Sequence, residues 1–257
     1  RHKLIRIDKI PAFTGNVYSS FGTAVHDASQ KNLTLEQERE LTDGFLKEED
    51  FDLVALFNKR FTEELDELDK TNLSERDKEL LKPESIAEFR KHGGELVPLV
   101  LPALKEYFGK FKVVAAEQEL RQPIDGFPNF DFYGYVDLIV QTEDGKYHII
   151  DWKTCSWGWD MKKRNDTEVT YQLTFYKTFF CKATGANPDD VETHFGLLKR
   201  TATKDRVELF RVTSGQKKVT NALNVLNNCV TNISRNNYVK NRLNCLKCEF
   251  HRTIHCP

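Results

Sequence analysis

Asp137 and the run Asp151-Trp152-Lys153 each close an apolar stretch, Tyr135-Val136 in one case and Ile149-Ile150 in the other. Two carboxylates fixed at the ends of neighbouring strands supply the hard oxygen ligands that a divalent cation needs. A lysine two residues after the second carboxylate returns to the same face of a strand, where its ammonium can touch a cation-activated water or a phosphate. The chemistry suited by this spacing is metal-assisted hydrolysis of a phosphodiester. An acid buried at such a place without a partner is costly, so Asp137 and Asp151 are each expected to have a cation or a lysine nearby. The competing explanation is a pair of turn-capping acids.

Those groups need a frame. Short runs of β-branched and aromatic residues at Lys112 to Leu120, Phe130 to Gln141 and Tyr147 to Trp152 read as strands. Glu143-Asp144-Gly145-Lys146 reads as a hairpin turn, which makes the last two strands antiparallel neighbours and brings Asp137 close to Asp151. Thr167 to Cys181 has helical spacing, 191–200 and 205–212 read as two more strands, and 215–235 as a closing helix. Upstream, Leu33 to Arg90 is charged, with Phe45, Leu53, Leu56, Phe57, Phe61, Leu65 and Leu68 near helical spacing. Pro83 is expected to start a helix that Gly93-Gly94 ends. Another helix is expected from Leu96 to Phe108, with Pro98 and Pro102 shifting its start or bending it.

With 257 residues, 39% of them hydrophobic, the chain can bury one substantial core, so a single domain is expected. No apolar run approaches the roughly 20 residues that span a bilayer. The stretch Arg1-His2-Lys3-Leu4-Ile5 lacks the apolar region of a secretion signal. A soluble, intracellular protein without a membrane partner is expected, in the cytoplasm or, in a eukaryote, an organelle or the nucleus. The formal net charge of -1 hides an asymmetry: residues 40–70 hold 11 acids and 4 bases, whereas 199–257 hold 12 bases and 3 acids. A basic C-terminal third can present a positive face to phosphate, though ordinary solvated faces give the same count.

Three elements around the acids, Gly134-Tyr135-Val136-Asp137-Leu138-Ile139, Ile149-Ile150-Asp151-Trp152-Lys153-Thr154 and Tyr171-Gln172-Leu173-Thr174-Phe175-Tyr176, follow an upstream Phe21-Gly22-Thr23-Ala24-Val25-His26. In this order they resemble the motifs of the PD-(D/E)xK nuclease superfamily, in its RecB-like and Cas4-like exonuclease branch, with Gly-x-x-x-His first and Gln-x-x-x-Tyr last. The likeness covers the motifs between about residue 20 and about residue 180; the helical stretch 33–108 has no counterpart in it. Pattern and resemblance together imply an α/β fold with a restriction-endonuclease-like core: a central mixed sheet of four to five strands flanked by helices, with a helical insertion. The division expected is one nuclease domain over 1–257, with its core at about 10–32 and 109–235, the insertion at about 33–108 and a cysteine-rich tail at 240–257.

The resemblance also implies roles. Asp137, Asp151 and His26, with Glu117 and the backbone carbonyl of Trp152, would hold one or two Mg2+ or Mn2+ ions, and Lys153 would help position the attacking water. On residue chemistry alone, His26 follows a glycine-led turn at the start of a helix, where its imidazole could reach a cation already held by carboxylates or serve a structural role. Glu119 lies two residues from Glu117 on the same strand face and competes with it for the extra acid's place, and a surface role suits either. Gln172 and Tyr176 stand one helical turn apart, where an amide and a phenol can hydrogen-bond a phosphate and stack on a base or sugar; helix packing also explains Tyr176. The remaining histidines of the body, His2, His92, His148 and His194, read as structural or surface residues.

Six cysteines in a chain of this kind argue against a disulfide framework. Cys155, Cys181 and Cys229 are scattered, whereas Cys245, Cys248 and Cys256 crowd the end. That cluster resembles the one by which some RecB-like and Cas4-like nucleases hold a [4Fe-4S] cluster, but those take a fourth cysteine from before the Gly-x-x-x-His motif, and residues 1–25 contain none. A structural Zn2+ held by Cys245, Cys248, Cys256 and either His251 or His255 uses residues already present. Zinc, an iron–sulfur cluster and an empty vestige remain open, in that order.

The activity implied is metal-dependent hydrolysis of DNA, by an exonuclease acting on single strands or duplex ends. A structure-selective endonuclease, an RNA-acting nuclease and a non-cleaving DNA-binding subunit of a repair or recombination complex stay open, since the motifs bind phosphate and metal rather than a base or a 2'-hydroxyl.

Overall fold

A computed structural model of the chain describes residues 3–10, 15–41, 52–70, 73–238, 245, 248 and 250–256. Among them, helices α1 (Val17–Leu41), α2 (Leu53–Glu67), α3 (Glu75–Glu79), α4 (Pro83–Leu96) and α5 (Val100–Phe108) precede strands β1 (Phe111–Ile124), β2 (Phe127–Thr142) and β3 (Tyr147–Cys155). A short α6 (Met161–Arg164) and α7 (Thr167–Thr184) lead to β4 (Val191–Lys199) and β5 (Val207–Arg211), and α8 (Gln216–Ser234) follows. The strands form one mixed sheet in the order β1-β2-β3-β4-β5, antiparallel throughout except where β3 lies beside β4. Parallel neighbours need a crossover of a dozen or more residues, and α6 with α7 provides it. The chain is thus α/β, a mixed sheet flanked by helices, as pattern and motifs imply.

Local chemistry sets the element ends. The Asp52 carboxylate accepts from the Ala55 N–H to cap α2, and Asp166 accepts from the Glu168 N–H to cap α7. Gly185, at φ +73°, closes α7 in the left-handed conformation that a glycine adopts without strain. Between β2 and β3 the Gly145 N–H donates to the Thr142 carbonyl at 2.9 Å, which makes the anticipated hairpin.

The sheet has a buried cluster on each face. One joins Phe21, Phe57, Phe61, Phe89 and Leu104 from the first helices to Leu138, Ile150 and Trp152. The other joins Leu173, Tyr176 and Phe179 of α7 to Val136, Ile149 and Phe195. In α2 the buried residues Phe57, Phe61 and Leu65 recur every four positions, the stripe the sequence shows. α1 runs unbroken across residue 33, the expected start of the insertion, and Phe21, Ala24, Val25 and Leu33 all enter the first cluster. Phe45 lies outside the described residues, as does much of the tail.

Gly93-Gly94 does not end α4, which continues to Leu96. A Cβ built on Gly93 would lie 2.0 Å from Phe57 Cζ, so this glycine admits an aromatic ring instead of terminating a helix. The break comes at Pro98, where Val97–Leu99 forms a single 3-10 turn before α5. Pro102 falls in the first turn of α5, where its missing N–H leaves no helical bond unmade.

Gly93→Ala separates these two roles. Helix propensity alone would stabilise the chain by about 1 kcal/mol. Overpacking against Phe57 is expected to win, with a net loss of about 1–3 kcal/mol in denaturant unfolding; a gain in stability would refute the packing role.

Candidate active site

β2 and β3 are paired at Gln141/Tyr147, Val140/His148, Ile139/Ile149 and Leu138/Ile150, and no further. Both strands nevertheless continue: β2 stays on β1 back to Phe127, and β3 stays on β4 as far as Cys155. The sheet therefore forks, and Asp137 and Asp151 are the first opposed residues beyond the last pair. Neither closes a strand, as the sequence suggests; what stops at these acids is the pairing. The Trp152 N–H points into the fork, where it has no strand partner, and donates to Asp137 Oδ2 at 2.7 Å. A buried amide needs an acceptor, and the carboxylate supplies it.

The fork also reverses the faces of β2. Val136 belongs to the α7 cluster, whereas Leu138, two residues on, belongs to the α1 cluster. Strict alternation would keep them together. Opposite this point on β1, Glu117 has φ +53°, a conformation that non-glycine residues rarely adopt. Such strain clusters at functional sites. Glu117 also lines the cleft, which Glu119 does not, so the structure separates the two candidates for the extra acid.

α1 supplies the opposite wall. Phe21 to His26 all lie within this helix, so Gly22 makes no turn; a Cβ there would lie 3.0 Å from Thr154 Oγ1, and its absence lets α1 approach β3 beside Lys153. His26 Nδ1 comes 4.0 Å from Asp137 Oδ2. Thr23, His26, Asp27, Gln30 and Leu33 share the cleft with Glu117, Tyr135, Asp137 and Trp152. The sequence reading passed over Thr23, Asp27 and Gln30, although Thr23 and Gln30, three before and four after His26, mark one helical face. Tyr133 and Tyr135 were passed over as well. They stand exposed at 54% and 43%, edge to face, with their hydroxyls 2.6 Å apart.

Lys153 lies on the Asp151 side of β3, as expected, with Nζ 2.6 Å from Asp151 Oδ2. The same ammonium donates to Gln172 Oε1 at 3.0 Å, and Gln172 Nε2 donates to the Tyr176 hydroxyl at 3.1 Å. Tyr176 is buried against Gly134, whose missing Cβ makes room for the ring. It is therefore not placed to stack on a base or sugar, and takes the helix-packing alternative that the sequence also left open. Gln172 and Tyr176 instead form a line of hydrogen bonds that holds Lys153 against Asp151.

Asp151 is 2% exposed, and its Oδ2 rests against the Lys153 ammonium at 2.6 Å as a buried ion pair. Burial pushes its pKa up to about 6, with Lys153 opposing the rise and Asp137 adding to it. Burial raises Asp137 too, against the lowering effect of the Trp152 N–H, and burial lowers His26. Each group is biased toward its neutral form, a bias that an added cation would reverse at the carboxylates. Buried carboxylate oxygens whose charged forms are disfavoured fit a hard divalent cation. The site is looser than a finished coordination sphere. Among the described residues, only His148, Glu192 and His194 bring three ligating atoms within 4.8 Å of one another; His26, Asp137 and Asp151 do not, nor do Cys245, Cys248, Cys256, His251 and His255.

In the tail, the Arg252 N–H donates to the Cys256 carbonyl at 2.9 Å, and Phe250 is buried. Among the described residues no disulfide joins the cysteines, and no helix is long and apolar enough to cross a membrane.

Phosphodiester hydrolysis is the chemistry that such a fork suits, and comparison with known families agrees. The PD-(D/E)XK nuclease superfamily matches residues 1–253, and the chain belongs to it. Its substrate is accordingly a nucleic acid, and divalent metals serve the family's chemistry. Among solved structures, the protein SSO0001 is similar at 18% identity over 85% of this chain and 91% of its own, with a TM-score of 0.38. A protein named "Putative exonuclease" from Eubacterium rectale is similar at 14% identity over 96% of each chain, with a TM-score of 0.46. None of the curated proteins compared with the chain matches it.

A carboxylate whose pKa burial pushes up to about 6 opposes folding near pH 7 until a cation arrives. Asp151→Asn in chelator is expected to stabilise the chain by about 1 kcal/mol, or about 2–4 °C in Tm. Added Mn2+ should raise the wild-type Tm and leave the variant's unchanged. Destabilisation by Asp151→Asn in the absence of metal would show that the ion pair with Lys153 outweighs the cost of burial.

Proposed function

We propose that the chain is a divalent-metal-dependent DNA nuclease that acts from the ends of single strands. The observation that carries this reading is the buried Asp151 carboxylate, paired with Lys153 at 2.6 Å at a fork it shares with Asp137 and His26. A non-cleaving scaffold gains nothing from holding such a group away from water.

Asp137, Asp151 and His26 would hold Mg2+ or Mn2+, with Glu117 and the Trp152 carbonyl as further oxygen donors. A cation bound there lowers the pKa of water and offsets charge on the phosphate. Lys153, kept in line by Gln172 and Tyr176, places its ammonium where negative charge grows on the phosphoryl oxygens. Asp137 has a second duty, because it also holds the Trp152 amide and so fixes the fork. The cleft, at about 190 Å³, has room for roughly six waters, enough for an ion and one phosphate.

Single strands are favoured by Tyr133 and Tyr135. Exposed phenol rings at the rim can stack on unpaired bases, each such contact contributing about 1–3 kcal/mol, whereas the bases of a duplex are already stacked on one another. A structural zinc site from Cys245, Cys248, Cys256 and His251 or His255 rests on ligand chemistry alone and would require their ligating atoms to draw together to pin the tail.

The deciding assay is digestion of end-labelled linear and of circular single-stranded DNA with Mn2+, by wild type, Asp151→Ala and Lys153→Ala. Wild type is expected to degrade the linear form only, and each variant to lose at least about 10³-fold in rate, as removal of a transition-state charge partner does. Equal rates in all three proteins would remove the mechanism; cleavage of circles would establish an endonuclease.

A further inference from the structure

The start of the β3–β4 pair gathers a second set of metal-competent side chains. In the parallel register His148 stands beside Glu192, and His194 lies two residues further along β4, so the period of two puts all three on one face. α5 covers that face, with the Phe108 ring centroid 4.7 Å from that of His148 and 5.1 Å from that of His194. Both imidazoles are buried. His148 Nδ1 is 3.1 Å from His194 Nε2, while Glu192 Oε2 is 3.8 Å from the first nitrogen and 4.0 Å from the second. Arg211 takes the other carboxylate oxygen, Oε1, at 3.1 Å.

The outer hydrogen bonds decide where the protons sit. Thr142 Oγ1 lies 3.0 Å from His148 Nε2 and 2.5 Å from Asp144 Oδ1. A carboxylate only accepts, so the hydroxyl proton goes to Asp144 and the hydroxyl oxygen accepts from the His148 Nε2–H. Neutral His148 then carries its lone pair on Nδ1, aimed at His194. On the far side of His194, Nδ1 has the Tyr107 hydroxyl at 3.5 Å. Burial pushes His194 down to about 3, with the neighbouring His148 adding to it, and burial lowers His148 as well, so both rings are neutral at physiological pH.

We propose that His148, Glu192 and His194 bind a borderline divalent cation of the Zn2+ class, which clamps β3 to β4 behind the fork. Two imidazole nitrogens and one carboxylate oxygen suit zinc better than Mg2+, which prefers oxygen alone. Outer hydrogen bonds that fix each ring, from Thr142 and Tyr107, are the usual support of ligating histidines. Donors on a tetrahedral zinc stand roughly 3.3–3.5 Å apart. The nitrogen pair is thus already in place, and Oε2 closes the set by moving roughly half an ångström. This site stands whether or not the fork cleaves DNA.

The test uses the full chain, stripped with chelator and then titrated with Zn2+. Bound equivalents are read by equilibrium dialysis, and the ring nitrogens by 15N NMR. Glu192→Gln and His194→Gln are compared with wild type, with Asp151→Asn and Cys248→Ser reporting on the other two clusters. One equivalent should vanish, or bind at least tenfold more weakly, in both triad variants and persist in Asp151→Asn and Cys248→Ser. In wild type, His148 Nδ1 and His194 Nε2 should shift together on saturation while the His148 Nε2–H remains. Glu192→Gln keeps the shape of the site, so the test survives if His194→Gln fails to fold. Unchanged stoichiometry together with less than a tenfold loss of affinity in Glu192→Gln, or a proton that stays on His194 Nε2 at saturating Zn2+, would overturn the proposal.

Discussion

One backbone amide organises the molecule's reactive end. Beyond Leu138 and Ile150 the β2–β3 ladder stops, and the Trp152 N–H would be buried without an acceptor if Asp137 did not receive it at 2.7 Å. A carboxylate is a stronger acceptor than a neutral carbonyl, so it can hold the strands apart at the point where a backbone ladder would have closed them. The cleft is the space that this substitution leaves. Everything lining it, from the left-handed Glu117 to the α1 face bearing His26, follows from where the ladder ends.

Holding charge in that cleft works against folding. Asp137 and Asp151 are both pushed toward their protonated forms by burial, and Lys153, His26 and one amide offset this in part. The surrounding framework supplies the compensation: aromatic rings of α1, α2 and α4 stack behind the sheet on one side, and α7 packs on the other. Glycines at three contacts make that packing close. Gly22 brings α1 to Thr154, Gly134 admits Tyr176, and Gly196 leaves space for the Trp152 ring. The resulting rigidity fixes the ammonium and the two acids relative to one another, as a hydrolytic site on the proposed reading requires.

Much of this was legible in the sequence, for identifiable reasons. Strands rich in β-branched residues, the Glu143-Asp144-Gly145-Lys146 turn and the capped helix at Thr167 are local signals, and each appears where its residues place it. Asp151 and Lys153 share a side because strands alternate. What stayed hidden depends on partners distant in the chain. A glycine that admits a ring looks like a glycine that ends a helix, so Gly93 misled. A fork between strands looks like a strand end, because the apolar run stops in either case. Tyr176 reads as a substrate contact or as a packing residue until the burial of its ring against Gly134 is seen. His148 and His194 read as bland residues because β3 and β4 meet only through a crossover of some thirty-five residues, which no local pattern reveals.

The central claim is that the charge on Asp137, and not merely its hydrogen bond, serves the chemistry. Asp137→Asn tests it, since the amide oxygen can still accept from the Trp152 N–H while the negative charge is gone. The measurement is Mn2+-dependent digestion of linear single-stranded DNA, with Tm recorded on the same preparation. A chain that is folded and as stable as wild type but inactive is the predicted result; a chain that digests DNA at the wild-type rate would contradict the account.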